Sequence, residues 1–209
     1  MIRAFLAVEL SHEIRAGLAT IQQELKHRIA PEMKRDVRIS WTQPASIHLT
    51  LKFLGDMDEQ VIDPLRAALQ EATGGHTALH VPFERFGAFP RLQSPRILWV
   101  GPPEYWEGGA EATRLAEIQK AIEEACDGLN FLRETKSFSP HLTLARIKAG
   151  ERQVGIALAK TGVLDRPISS GSLTVESIAL MKSELKPTGA VHSKLWEVVL
   201  KKALPLRQS

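Results

Sequence analysis

The chain is poor in sulfur and has no apolar run of membrane length. One cysteine, Cys126, stands among 209 residues. A lone thiol excludes an intramolecular disulfide and fits a reducing compartment. Cys126 falls in an expected helix and reads as a buried structural thiol. Residues 1–10 are too short, and too soon broken by charge, for a signal peptide or a membrane span. A cytoplasmic protein is expected, with no membrane partner. A Gly-rich phosphate loop of the Walker kind is missing, so ATP use is not indicated. Gly-x-Ser-x-Gly is missing too, Gly171-Ser172 being the nearest fragment. Zinc favours clustered His, Cys or carboxylate ligands, which the sequence does not offer. No metal and no other cofactor is called for.

What is present is ordinary in bulk and unusual in one detail. Hydrophobic residues make up 44% and charged residues 24%, as in a soluble globular protein with a good core. The net charge of +3 suits an anionic ligand without demanding one. The detail is a hexapeptide that occurs twice. Residues 46–51 read Ser-Ile-His-Leu-Thr-Leu and residues 139–144 read Ser-Pro-His-Leu-Thr-Leu, with the histidines 93 residues apart. Both copies alternate and read as strands. Side chains alternate across a strand, so His48 and Thr50 share one face, with Ile47, Leu49, Leu51 and Phe53 on the other. His141 pairs with Thr143 in the same way, opposite Leu142 and Leu144. Each copy seats a leucine face in a core and presents an imidazole beside a hydroxyl.

Around these segments the pattern predicts an α+β fold. A buried strand over 2–10 precedes a helix from the Ser11 cap to about Ala30, with Ile14, Leu18, Ile21 and Leu25 inward. A short strand, Val37–Trp41, leads to the first histidine strand, which ends at Gly55. Asp58 caps a helix over 59–73 that Gly74-Gly75 stops. Strands over 78–86 and 96–101 precede a helix over 111–127. The second histidine strand covers 141–147, a short helix 151–161. Closing strands lie near 172–182 and 194–202, split by Lys186-Pro187-Thr188-Gly189. The repeat suggests two pseudo-symmetric, interleaved lobes in a single domain over residues 1–209, with an approximate boundary near 102–110.

Two facing histidines form an acid/base pair. An ordinary imidazole titrates near pH 6.5, so one ring can be charged while the other is neutral. That pair suits in-line displacement at phosphorus, each proton transfer contributing about 10²–10⁴-fold. Thr50 and Thr143 can donate hydrogen bonds to non-bridging phosphate oxygens. A single His-x-Thr on a strand is more often structural; the repetition is what argues for chemistry. His12, His27, His76 and His80 sit in or near helical and loop sequence and read as surface or packing residues.

With these residues in hand the chain resembles the two-histidine phosphoesterases, and within them the RNA 2′,3′-cyclic phosphodiesterases historically labelled 2′-5′ RNA ligases. The resemblance rests on Arg3-Ala4-Phe5-Leu6-Ala7, His48 to Gly55, Phe89-Pro90, Pro95 to Gly101, Ser139 to Arg146 and the turn from Ser183 to Gly189. It implies two lobes, each an antiparallel sheet with outer helices, around an active-site cleft. It implies hydrolysis of a 2′,3′-cyclic phosphate at an RNA 3′ end to a 2′-phosphate. His48 is then the proton donor and His141 the proton acceptor, and the same pair run in reverse joins ends through a 2′-5′ linkage. Arg146 matches a ligand-contacting arginine of the family. Parity alone puts it on the leucine face, so it reaches the cleft only past a bulge; a surface salt bridge is the other reading. Lys52, on the His48 face by parity, either adds positive potential or is simply solvated. The family often has Gly-x-x-Tyr where this chain has Gly189-Ala190-Val191-His192. Related substrates stay open: 2′-5′ oligonucleotides or another small cyclic phosphate. The expected partner is RNA or a nucleotide with a cyclic phosphate, met by a monomer.

Overall fold

The computed structural model describes residues 1–162, 168, 170–186 and 189–202. Strand β1 (Ile2–Val8) leads to helix α1 (His12–Ile29), β2 (Arg38–Trp41), β3 (Leu49–Met57) and α2 (Ile62–Thr73). Then come β4 (Leu79–Pro82), β5 (Arg85–Phe89), β6 (Ile97–Gly101), α3 (Glu104–Glu107) and α4 (Ala110–Asp127). The chain closes with β7 (Leu142–Ala149), α5 (Glu151–Lys160), β8 (Ser172–Val175), β9 (Ser177–Lys186) and β10 (Gly189–Val199).

Two four-stranded antiparallel sheets carry the site. One runs β10-β9-β1-β3 and the other β2-β7-β6-β5, with β4 and β8 forming a separate pair. This is the expected α+β architecture of two similar lobes with outer helices. A cut near residues 102–110 leaves strands of both sheets on each side, because β2, β5 and β6 precede it and β9 and β10 follow it. Helices α2 and α4 pack together over the first lobe, and α1 meets α5 beside the second. One continuous apolar core joins sheets and helices. A separate small cluster of Phe5, Ala7, Ala179 and Met181 lies on the other face of the first sheet.

Local chemistry explains the helix ends. The Ser11 hydroxyl accepts the Ile14 amide at 3.3 Å, satisfying one of the free donors of the first turn of α1. Asp58 accepts the Gln60 amide at 3.0 Å, but the turn it starts is a 3₁₀ turn, Glu59–Val61, ahead of α2. Cys126 is buried within α4, and burial pushes its thiol up to about 12. The buried stripe of α1 is Ile14, Leu18, Gln22, Leu25 and Ile29. Gln22 thus takes the place expected for Ile21, a polar residue on an otherwise apolar face.

Three expected strands have different limits. The stretch 78–86 divides because Phe83 leaves the ladder: its amide bonds the Gly171 carbonyl and its carbonyl accepts the Ser170 hydroxyl. β4 then pairs with β8, while β5 joins β6. The stretch 172–182 divides for the same reason, β9 pairing instead with β1 and β10. The final strand begins at Gly189 rather than 194, its largely exposed first half being held by the ladder to β9. Pro187 and Thr188 of the expected turn, between β9 and β10, lie outside the described residues. His80 also lies on a strand, its ring nitrogen 3.2 Å from the Thr174 hydroxyl.

Candidate active site

Each histidine stands one residue ahead of its strand and is fixed in the same way. His48 Nδ1 lies 2.9 Å from the Ser46 carbonyl, and His141 Nδ1 lies 2.8 Å from the Ser139 carbonyl. A carbonyl can only accept, so Nδ1 carries the hydrogen in both rings. Nε2 is left in each to take up or give a proton. The repeated serine therefore serves through its backbone, two residues ahead of each imidazole.

The rings differ in their walls. His48 stacks on Phe5, centroids 4.5 Å apart at 26°, and meets His192 edge-on at 5.2 Å. His141 meets Phe89 edge-on at 5.0 Å and Trp99 at 6.4 Å. Gly87 lies opposite Trp99 in the ladder, and a β-carbon there would overlap the indole; glycine is what lets Trp99 lie flat behind His141. The Phe89-Pro90 peptide is cis.

Both imidazoles are held below their ordinary pKa. Burial pushes His48 down to about 4, opposed by the Ser46 carbonyl and helped by the charges of His192, Arg146 and His141. Burial also lowers His141, again opposed by its carbonyl and helped by Arg146. Burial lowers His192. The two motif histidines, 93 residues apart in sequence, are thus near enough to feel one another's charge.

Between the lobes lies a cleft of about 540 Å³ whose wall includes His48, Thr50, Thr143 and Arg146. The wall stops short of the His141 ring, which stands between Phe89 and Trp99. Both threonines are half-buried and face the same space. The hexapeptides therefore converge, one from each sheet.

A bulge brings Arg146 to this space. Thr143 pairs with Trp99 but Ala145 pairs with Leu98, so Leu144 is left over in the ladder. An extra residue inverts parity beyond it. Ala145 and Ile147 turn into the core and Arg146 turns out into the cleft. The bulged carbonyl is not wasted: Leu144 accepts the Gln22 side-chain amide at 2.8 Å and the Thr42 amide at 2.9 Å. Gln22 is the residue that reading by periodicity missed; its signal is a polar side chain on the apolar stripe of α1.

The same device acts in β3, with a result opposite to the one expected for Lys52. Thr50 pairs with Ala7 and Lys52 with Leu6, leaving Leu51 over. Lys52 consequently turns inward rather than onto the His48 face. Its side chain is 2% exposed, and its ammonium meets Glu123 at 2.6 Å and the Leu132 carbonyl at 2.9 Å. Phe53, expected on the leucine face, turns outward and is 65% exposed. Phe5 and Phe53 join the site without having been foreseen in it, the register shift exposing the second, and His192, whose role the sequence left open, lies on the cleft wall beside them.

Among the described residues, no three His, Cys, Asp or Glu side chains converge in a way that could hold a metal ion. No helix among them is long and apolar enough to cross a membrane.

Fold and site together define a two-lobed α+β protein in which His48, Thr50 and Thr143 line a shared cleft and His141 stands two residues from Thr143, beside it. A match to the 2′-5′ RNA ligase superfamily spans residues 38–187, so the chain belongs to that superfamily. It is 34% identical to the RNA 2′,3′-cyclic phosphodiesterase of Thermus thermophilus over 93% of this chain and 88% of the relative. It is 30% identical to the protein of the same name from Aquifex aeolicus over 96% and 98%. Among solved structures, TT0787 of Thermus thermophilus superposes with a TM-score of 0.72 at 26% identity, covering 96% of this chain and 99% of that one. Escherichia coli LigT complexed with 3′-AMP superposes with a TM-score of 0.68 at 22% identity, covering 95% and 98%.

Proposed function

We propose that this protein hydrolyses the 2′,3′-cyclic phosphate at RNA 3′ ends to a 2′-phosphomonoester, without a metal. The observation that carries the reading is the matched fixing of two imidazoles. Each keeps Nε2 free by binding a carbonyl through Nδ1, and each stands two residues from a threonine of one cleft. Simple anion binding requires no such pairing of proton carriers. Relatives named RNA 2′,3′-cyclic phosphodiesterase, at about a third identity over nearly the whole chain, support the substrate.

In this reading His141 takes a proton from water as its oxygen forms a bond to phosphorus. The bond from phosphorus to the 3′ oxygen breaks in line, and His48 delivers a proton to that oxygen. Thr50 and Thr143 donate to the non-bridging oxygens, and Arg146 opposes their charge. A proton donor must be protonated, whereas burial by itself favours neutral His48. The phosphodiester anion opposes that effect, since a neighbouring negative charge favours imidazolium. With a 5′-hydroxyl in place of water, the same two groups in exchanged roles form a 2′-5′ linkage. Both histidines come from one polypeptide, so a cytoplasmic monomer acting as one bilobal domain suffices.

The test is incubation with 2′,3′-cyclic AMP in excess EDTA, with the product isomer identified. A 2′-phosphate is expected. A 3′-phosphate would reverse the leaving oxygen and the histidine roles, and absence of product would defeat the reading.

A further inference from the structure

The cleft carries more positive charge than one phosphodiester uses. Its wall holds Arg3, Arg146 and Lys148 and no carboxylate. None of the three forms an ion pair among the described residues. Asp56 stands opposite Arg3 in the β1–β3 ladder without forming one. Some cations outside the cleft are paired, Lys52, Lys160 and Lys194 each meeting a carboxylate within 3.0 Å, whereas the three on this wall converge without one. Cations left unmatched around a concave wall raise the local concentration of a polyanion.

Their placement gives the excess a direction. Beyond the Leu144 bulge, Arg146 and Lys148 share one face of β7, two residues and therefore about 6.6 Å apart. Arg146 follows Thr143 on that face, beside the reacting phosphate; Lys148 lies one step further out. A nucleotide chain adds one phosphate per step, so a second phosphate would meet Lys148. On the opposite wall the Leu51 bulge leaves the Phe53 ring open to solvent, 6.2 Å from Phe5. An exposed aromatic beside unpaired cations is the composition of a single-strand track, where bases stack and phosphates are neutralised.

A second cavity of about 370 Å³ meets the first at His48 and His192 and is lined by Glu9, Arg15 and Gln43. There the Glu9 carboxylate is held at 2.8 Å by Lys194 and stands with Arg15 in one lining, so that side mixes both signs of charge, unlike the carboxylate-free first wall.

From this we infer that the cleft contains a second phosphate subsite, formed by Lys148 and Arg3 with Phe53 as a base platform, for the nucleotide on the 5′ side of the terminal cyclic phosphate. The inference rests on the cyclic phosphodiesterase reading and deepens it: the preferred substrate is an oligonucleotide, not a cyclic mononucleotide.

The experiment compares kcat/KM for 2′,3′-cyclic AMP and for a triadenylate ending in a 2′,3′-cyclic phosphate, at low and moderate salt. The triadenylate is expected to be the better substrate by about tenfold or more, with a salt slope steeper by about one. Lys148→Gln should remove about tenfold from the triadenylate and less than twofold from the mononucleotide, mostly through KM. Phe53→Ala should act in the same sense and less strongly. Equal kcat/KM for the two substrates, or an equal loss on both in Lys148→Gln, overturns the subsite alone. Hydrolysis of neither substrate overturns the cyclic phosphodiesterase reading and the subsite with it.

Discussion

The two histidine strands are built from one short pattern and end in opposite uses. In both, the residue three places after histidine bulges out of the ladder: Leu51 in β3 and Leu144 in β7. In both, the next side chain turns inward and the one after it outward. β3 thereby buries Lys52 and exposes Phe53; β7 buries Ala145 and exposes Arg146. One irregularity of backbone, repeated, gives one lobe an aromatic surface and the other a charge. The imidazoles differ likewise. His48 is pressed between Phe5 and His192, while His141 is backed by Phe89 and Trp99. The lesson is that a duplicated motif sets the same imidazole and hydroxyl into each lobe, and its flanks give each lobe a different surface.

The largest expected effect tests whether the halves are equally needed. His48→Ala and His141→Ala should each lower kcat by about 10²–10⁴-fold with the fold retained. Steady-state rates and circular dichroism check this; a variant that kept a tenth of the rate would break the pairing. Next come the two outcomes of the bulge. Lys52→Ala removes the ammonium from the partly buried Glu123 carboxylate, which keeps only the Gln119 and Glu134 N–H donors, and should cost about 1–3 kcal/mol of stability, read by urea unfolding. Arg146→Ala should instead leave stability within about 0.5 kcal/mol, as an exposed residue does, and lower kcat/KM. Similar unfolding midpoints for the two would dissolve the contrast.

The pH dependence follows from His48. Its pKa is lowered on folding, from 6.5 to about 4, so the unfolded chain binds the proton more tightly. Its contribution is therefore complete above about pH 6.5 and is lost as pH falls toward 4, up to about 3 kcal/mol in all. His48→Gln should flatten this part of the stability profile, and inorganic phosphate should raise the His48 titration midpoint seen by NMR. A midpoint near 6.5 in the free protein would show the Phe5 and His192 walls to be without effect. Smallest is the hydroxyl pair. Thr50→Ala and Thr143→Ala should each weaken kcat/KM by about 0.5–1.5 kcal/mol, one phosphate hydrogen bond apiece. A loss confined to one of them would show that only one lobe grips the phosphate.

How far the sequence could be read depended on whether a feature was local. The Ser11 cap, the strand character of the Leu-Thr-Leu half of each hexapeptide and the pairing of imidazole with hydroxyl come from neighbours in the chain. They were legible without the fold. Gln22 was not, because its partners, the Thr42 and Leu144 carbonyls, lie 20 and 122 residues away. Lys52 and Phe53 were assigned to the wrong faces because alternation was carried straight through Leu51. The bulge is a property of the β1–β3 pairing and has no mark of its own in the Leu-Thr-Leu pattern. The divisions at Phe83 and before Ser177 belong to the same class, each decided by which distant strand competes for the backbone.

The sequence by itself determined the chemistry on offer: two imidazoles, each two residues from a threonine, on segments too alike for coincidence. Tertiary structure alone decided that Arg146 reaches the cleft, that Lys52 does not, and that His48 is held more neutral than an ordinary histidine. The physical reason is that alternation and capping act between adjacent residues, whereas register shifts and desolvation arise only when distant strands meet.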